Sequence, residues 1–231
     1  MNKPIQYQKG YVEFYKLKFK VTPDTLIPRP ETELLVDEVL SMLRSNLNQG
    51  VSLTPTTILD LGTGSGNIAI SLALHLKGVN VNIIASDVSS KALKVAKQNA
   101  KLHGVSDQIK FIKSNLLSNL NYNLLPVPCN LIIVTNLPYI PSARIPYLDS
   151  SVKDFEPHVA LDGGADGFEL YRKLFKQIKE KGLKPKLITG EIDYTHGELA
   201  VLEAQKHFPN AQIEVKKDLA HKQRILLVAP F

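Results

Sequence analysis

The chain has a single cysteine, Cys129, in 231 residues. An internal disulfide is therefore excluded, and no Cys/His cluster has zinc spacing, so no metal site is expected. No stretch approaches the roughly 20 apolar residues that cross a bilayer, and no apolar run follows Lys3, which removes the pattern of a secretory signal. Internal repeats and low-complexity tracts are also missing, as is any arginine-rich block with interleaved aromatics. These absences describe a cytoplasmic protein without a membrane or metal role, expected as a monomer.

What is present suits one main globular domain: 44% hydrophobic and 22% charged residues can bury a full core. The net charge of +6 and a pI near 9.2 favour an acidic partner, such as RNA or a ribosome-bound protein. The lysines are nevertheless spread along the chain, as in Lys91, Lys94, Lys97 and Lys101, and read as solvated helix faces.

Residues 11–21 alternate apolar and polar side chains around a short interruption, the pattern of a two-stranded hairpin too small to be stable unless it packs on the rest of the chain. A helix is expected over 31–44, opened by Pro30 with Glu31 and Glu33 in its first turn, and with Leu34, Leu35, Val39, Met42 and Leu43 on one stripe. A polar loop is expected over 46–56. Short apolar runs at 57–61, 81–86, 109–112, 131–135 and 187–190 then alternate with helical patterns at 67–76, 90–103, 167–180 and 195–207. This is the rhythm of an α/β fold, a mostly parallel, Rossmann-like sheet covered on both faces. Two last strands, 212–215 and 224–228, are joined too tightly for a crossover and are expected to pair antiparallel. The organisation is thus a hairpin and linker over 1–30 and an α/β domain over 31–231. The helix-poor stretch 138–164 breaks the rhythm, as functional loops do.

The run Asp60-Leu61-Gly62-Thr63-Gly64-Ser65-Gly66 carries a buried strand through a glycine-rich turn into a helix. A dinucleotide fingerprint places its third glycine three positions after the second; here the interval is two, which suits a cofactor without a phosphate, such as S-adenosylmethionine. Asp60 can accept from the cofactor's ammonium, directly or through water, and Gly62, Thr63, Gly64 and Gly66 form the turn around its amino-acid end. Asp87, ending the next strand, can accept from a ribose diol. Asn115, after the third strand, lies where a side-chain oxygen can meet an adenine amino group.

After the fourth strand comes Asn136-Leu137-Pro138-Tyr139-Ile140-Pro141, an amide, a stiffened backbone and an aromatic ring at the sheet edge where open α/β folds bind ligands. Methyl transfer from a sulfonium asks for in-line positioning of the acceptor. The Asn136 side-chain oxygen and the Leu137 carbonyl can hold the NH2 of a planar amide or amine, with Pro138 stiffening the turn and Tyr139 stacking on the group.

Together with Ile27-Pro28-Arg29-Pro30-Glu31-Thr32-Glu33 and the segment Glu156-Pro157-His158-Val159-Ala160-Leu161-Asp162-Gly163-Gly164-Ala165-Asp166-Gly167, these motifs resemble the HemK/PrmC glutamine methyltransferases from about Pro4 to the C-terminus. The resemblance implies a seven-stranded methyltransferase sheet with S-adenosylmethionine on Gly62, Gly64, Asp87 and Asn136. It also implies methylation of the glutamine amide in the Gly-Gly-Gln motif of a peptide-chain release factor. The family's usual Asn-Pro-Pro-Tyr is here Asn-Leu-Pro-Tyr, the form seen in rRNA adenine dimethyltransferases, and its usual helical domain before the hairpin is expected to be absent. Adenine offers the same planar NH2, so an RNA or DNA adenine N6-methyltransferase stays open, as does a cofactor-binding protein without turnover.

Other features are read more plainly. The segment 162–167 lacks calcium-loop spacing and reads as a glycine-rich lead into a helix. His158, His196 and His221 are taken as surface or capping residues. Glu191, ending the fifth strand, either borders the pocket or is a surface acid. Arg29 and Glu31 either contact a ligand or brace the hairpin-to-helix junction.

Overall fold

The computed structural model describes residues 3–48, 55–120 and 130–229, the side chains of 46–48 excepted. Cys129 and most of the loop expected over 46–56 lie outside them; residues 46–48 are helical. The apolar runs form a seven-stranded sheet of β3 (Thr56–Leu61), β4 (Val81–Asp87), β5 (Ile109–Lys113), β6 (Asn130–Thr135), β7 (Leu187–Glu191), β8 (Gln212–Lys217) and β9 (Gln223–Ala229). Its order is β5-β4-β3-β6-β7-β9-β8, and only β9 runs against its neighbours, β7 and β8. The expected fold class and the antiparallel final pair are therefore both present.

All six residues of β3 are buried, as a strand covered on both faces requires. Its side chains divide between two cores. Ile58 and Ile132 point into one with Phe14 and Phe19 of the hairpin; Leu59 and Ile133 point into the other with Phe168, Tyr171 and Phe175. The covering helices are α2 (Glu33–Asn48), α3 (Asn67–His75), α4 (Ser90–Leu102), α6 (Glu169–Glu180) and α7 (Gly197–His207).

Several boundaries differ from the sequence reading. A short helix, α1 (Ile5–Lys9), precedes the hairpin of β1 (Tyr11–Phe14) and β2 (Leu17–Lys20). The span expected to open the first long helix is a 3-10 turn, Pro30–Thr32, before α2. The buried stripe of α2 is Leu35, Val36, Val39, Leu40 and Leu43, with Leu34 and Met42 at its margins, because the 3.6-residue period rotates those two out of the centre. Helices α6 and α7 begin at Glu169 and Gly197, since Gly167 is held in a left-handed conformation (φ 79°) and Asp193 closes a turn onto Thr195. The stretch 138–164 carries a 3-10 segment Ser142–Tyr147, a one-turn α5 (Ser150–Lys153) and a bridge from Ile140 to Asp162.

Strands β3 and β6 are neighbours at the sheet centre, and the chain leaves them toward opposite edges, through β4 on one side and β7 on the other. Such a switch point opens a crevice beyond the strands' C-terminal ends. The glycine turn after β3 and Asn136 after β6 meet there.

Candidate functional site

The glycine turn hangs from β4: the Gly62 and Thr63 N–H groups both donate to the Ser86 carbonyl, at 2.8 and 2.9 Å. At Gly66, φ is 83°, and a Cβ would fall 2.9 Å from Ile70 Cδ1 and 3.2 Å from Ala96 Cβ, so only glycine allows the turn to close onto α3 and α4. Asp87 braces the turn. One carboxylate oxygen accepts from the Gly64 N–H (2.9 Å) and the other from the Ser89 N–H (2.8 Å), while burial pushes its pKa up.

Asp60 is 0% exposed and lies behind the turn; it is not among the residues of the cavity wall. Its Oδ2 accepts from Thr63 Oγ1 (2.7 Å) and the Ala69 N–H (3.2 Å), and its Oδ1 is buried with no partner. Burial raises this carboxyl from its ordinary 3.8 to about 7, against the opposing hydrogen bonds.

The cavity above the turn holds about 240 Å³. Gly62 to Ser65, Asp87, Ser114 to Leu116 and Asn136 to Pro138 line it, together with Asp24 to Leu26, Pro28, Pro157, Val159 and Ala160. Asn115 lines it, although its side-chain oxygen accepts from Lys173 Nζ at 3.3 Å in this structure. Donor turn and acceptor motif are in contact range: a Cβ on Gly62 would lie 3.6 Å from Leu137 Cδ2 and 3.9 Å from the Asn136 carbonyl.

On the acceptor side, the register of β6 on β7 pairs Thr135 with Gly190, so the next residues, Asn136 and Glu191, stand side by side. Glu191 is 1% exposed. Its Oε2 accepts from Thr32 Oγ1 (2.6 Å) and Asn136 Nδ2 (3.1 Å), and its Oε1 from the Tyr139 hydroxyl (2.9 Å). Asn136 Nδ2 also donates to Thr32 Oγ1 at 3.1 Å. The NH2 edge of the amide is thereby turned toward Thr32 and Glu191, and its Oδ1 lies on the other side of the planar group. Burial raises the Glu191 pKa, and burial together with the Glu191 carboxylate holds the Tyr139 hydroxyl well above its ordinary value.

Glu191 is therefore no surface acid, and Thr32 is a member of the cluster that the sequence reading did not single out. The one signal for it is its place in the Arg-Pro-Glu-Thr-Glu run. Tyr139 is half-buried, gives its hydroxyl to Glu191 and is not among the residues lining the cavity.

The segment 162–167 backs the acceptor motif. Gly163 N–H donates to the Ile140 carbonyl (2.9 Å), and a Cβ on Gly163 would fall 2.7 Å from the Pro138 carbonyl oxygen and 2.8 Å from Tyr139 Cα. No group of metal-ligating side chains occurs among the described residues. Arg29 pairs with the buried Glu156, whose other oxygen accepts from the Ile27 N–H (3.1 Å), while Glu31 is exposed. His158 and His221 are exposed; His196 is buried at the N-cap position of α7, edge-on to Phe168, which corrects its reading as a surface or capping side chain. It occupies the cap position without a side-chain capping bond.

No helix among the described residues is long and apolar enough to cross a membrane. Residues 54–183 match the family described as a methyltransferase domain. A release factor glutamine methyltransferase of Bacillus cereus is 35% identical over 223 residues, covering 96% of this chain and 75% of that protein. One of Chlorobaculum tepidum is 43% identical over 173 residues, 74% of this chain and 56% of that protein. Among solved structures, a ribosomal protein L11 methylase from Lactobacillus delbrueckii subsp. bulgaricus shares the fold with a TM-score of 0.57 at 20% identity, covering 91% of this chain and 83% of that one. A glycine turn with Gly-x-Gly-x-Gly spacing, an amide beside it at the switch point and these relatives converge: the chain is an S-adenosylmethionine-dependent methyltransferase and belongs to the release factor glutamine methyltransferase family.

Proposed function

We propose that the protein methylates the side-chain amide nitrogen of the Gly-Gly-Gln glutamine of a peptide-chain release factor, acting as a monomer in the cytoplasm, with residues 1–30 as an appendage to the catalytic domain. When bound, S-adenosylmethionine supplies an electrophilic methyl group on a sulfonium. The residues present suit it: the Asp87 carboxylate lining the cavity keeps a second lone pair on each oxygen for a diol, and behind the turn the unpartnered Asp60 Oδ1 is an acceptor that an ammonium meets through water. Gly62, Thr63, Gly64 and Gly66 shape the turn, and Asn115 borders the end of the cavity.

The observation that carries the acceptor half is the Asn136 amide, fixed by its NH2 with its oxygen left over. A glutamine amide is a poor nucleophile because its lone pair is delocalised. Its NH2 donates to Asn136 Oδ1 and to the Leu137 carbonyl, which holds the nitrogen in place and stabilises positive charge developing on it. Pro138 fixes the turn that aims the Leu137 carbonyl.

Labelled S-adenosylmethionine incubated with the protein and, separately, with purified release factor and ribosomal RNA tests the reading. Label is expected on the release-factor glutamine; label on RNA alone would replace it with adenine methylation.

A further inference from the structure

We infer that Glu191 is a positioning residue for methyl transfer, acting through the side-chain amide of Asn136. The inference rests on the proposed role of Asn136 as holder of the acceptor nitrogen. Its basis is a buried carboxylate whose three hydrogen-bond donors, Thr32, Asn136 and Tyr139, are all neutral.

Burying a charge is costly, and a glutamine of the same shape would satisfy much of the same geometry without that cost. Fold alone does not ask for the charge here. Its effect falls on the Asn136 amide. An N–H that donates to a carboxylate draws electron density toward the amide oxygen, since hydrogen bonds in series polarise one another. Asn136 Oδ1 becomes the stronger acceptor, at the atom where an incoming NH2 needs it.

The carboxylate is also held from behind. The Tyr171 hydroxyl donates to the Glu191 backbone carbonyl at 2.5 Å, and its ring lies where any side chain at Gly190 would stand. Thr32 closes the triangle by donating to Glu191 while accepting from Asn136. One residue from the turn before α2 thus locks the ends of two strands.

The groups facing Glu191 are Glu31 and Thr32 from that turn, Asn136 and Tyr139 after β6, Tyr171 of α6 and Arg224 of β9, with Asp193 in its own loop acting on Tyr139. Burial raises its pKa and Arg224 opposes the rise. Protonation on acidification removes the charge, so the acid limb of the kcat profile belongs to Glu191 on this view.

The test uses the full chain, purified release factor and Glu191→Gln. We expect kcat to fall about 10- to 100-fold, with KM for release factor and calorimetric Kd for S-adenosylmethionine within about threefold, and the acid limb to disappear. In the 15N-labelled protein without donor, the Asn136 side-chain amide protons should move upfield in this variant. Thr32→Val should lower kcat and Thr32→Ser restore it. Glu191→Gln with kcat within about twofold of wild type, or with donor affinity lost in parallel with kcat, would overturn the inference. Wild-type enzyme that leaves release factor unlabelled would instead count against the substrate, while the amide shift still decides whether Glu191 polarises Asn136.

Discussion

The two halves of the site are built by different means. The donor half is a backbone structure: a glycine turn whose N–H groups reach Ser86 and Asp87 within one βαβ stretch. The acceptor half is a side-chain structure, in which Thr32, Asn136, Tyr139 and Glu191 come from three distant parts of the chain. A backbone cradle tolerates changes of side chain as long as its turn survives. A polar cluster of four side chains fails when one partner leaves, because each buried group then loses a hydrogen bond that it cannot replace with water.

The sharpest way to break this division is Asn136→Ala. Turnover should drop by about 1,000-fold while donor affinity stays within a few-fold, measured by single-turnover transfer and calorimetry. Equal losses in both would merge the two halves. Asp87→Ala is its counterpart and should weaken donor binding about 10- to 100-fold, through the loss of both the Gly64 brace and the diol acceptor, with a smaller effect on the transfer step at saturating donor.

Gly163→Ala tests the backing of the acceptor motif. A Cβ 2.7 Å from the Pro138 carbonyl oxygen forces that segment to shift, so kcat should fall roughly tenfold and stability by about 1–3 kcal/mol, with donor affinity unchanged in calorimetry.

A further test concerns pH. Asp60 is raised from 3.8 to about 7, so the folded protein without donor holds a proton that the unfolded chain has already released. Its contribution to stability is fully present below about 4 and declines as pH climbs to about 7. Donor binding runs the other way, because an ammonium beside Oδ1 favours the carboxylate. Thermal melting across this window should show a decline that Asp60→Asn removes, and donor affinity should rise toward pH 7 in the parent protein.

The same contrast explains what could be read in advance. The glycine turn is contiguous, so glycine spacing and an acid at each strand end suffice to read it as a turn between strand and helix, as a run of alternating strands and helices suffices for the sheet. Asn136-Leu137-Pro138-Tyr139 is legible for the same reason. Glu191 is assigned to a strand end by sequence, but whether that end faces solvent depends on the register of β6 on β7, which pattern alone does not supply. Thr32 sits in a motif whose neighbours Arg29 and Glu31 look more chemical; it is the buried residue of the 3-10 turn Pro30–Thr32, which a pattern of helical period does not mark. The four-residue motif also conceals a division of labour, since Tyr139 serves the carboxylate and Asn136 the cavity. Short α1 carries only Tyr7 as a buried residue, too little for a period to show.

Glu156 has a consequence for the shape of the crevice. It binds Arg29 and the Ile27 N–H beside the lining residues Leu26 and Pro28, and the next residue in its own chain, Pro157, lines the same cavity. A single carboxylate therefore joins two lining segments, and parting them leaves it without these partners at a cost of about 1–3 kcal/mol. Ile27 and Glu156, 129 residues apart in sequence, thus share one fastening beside the cavity.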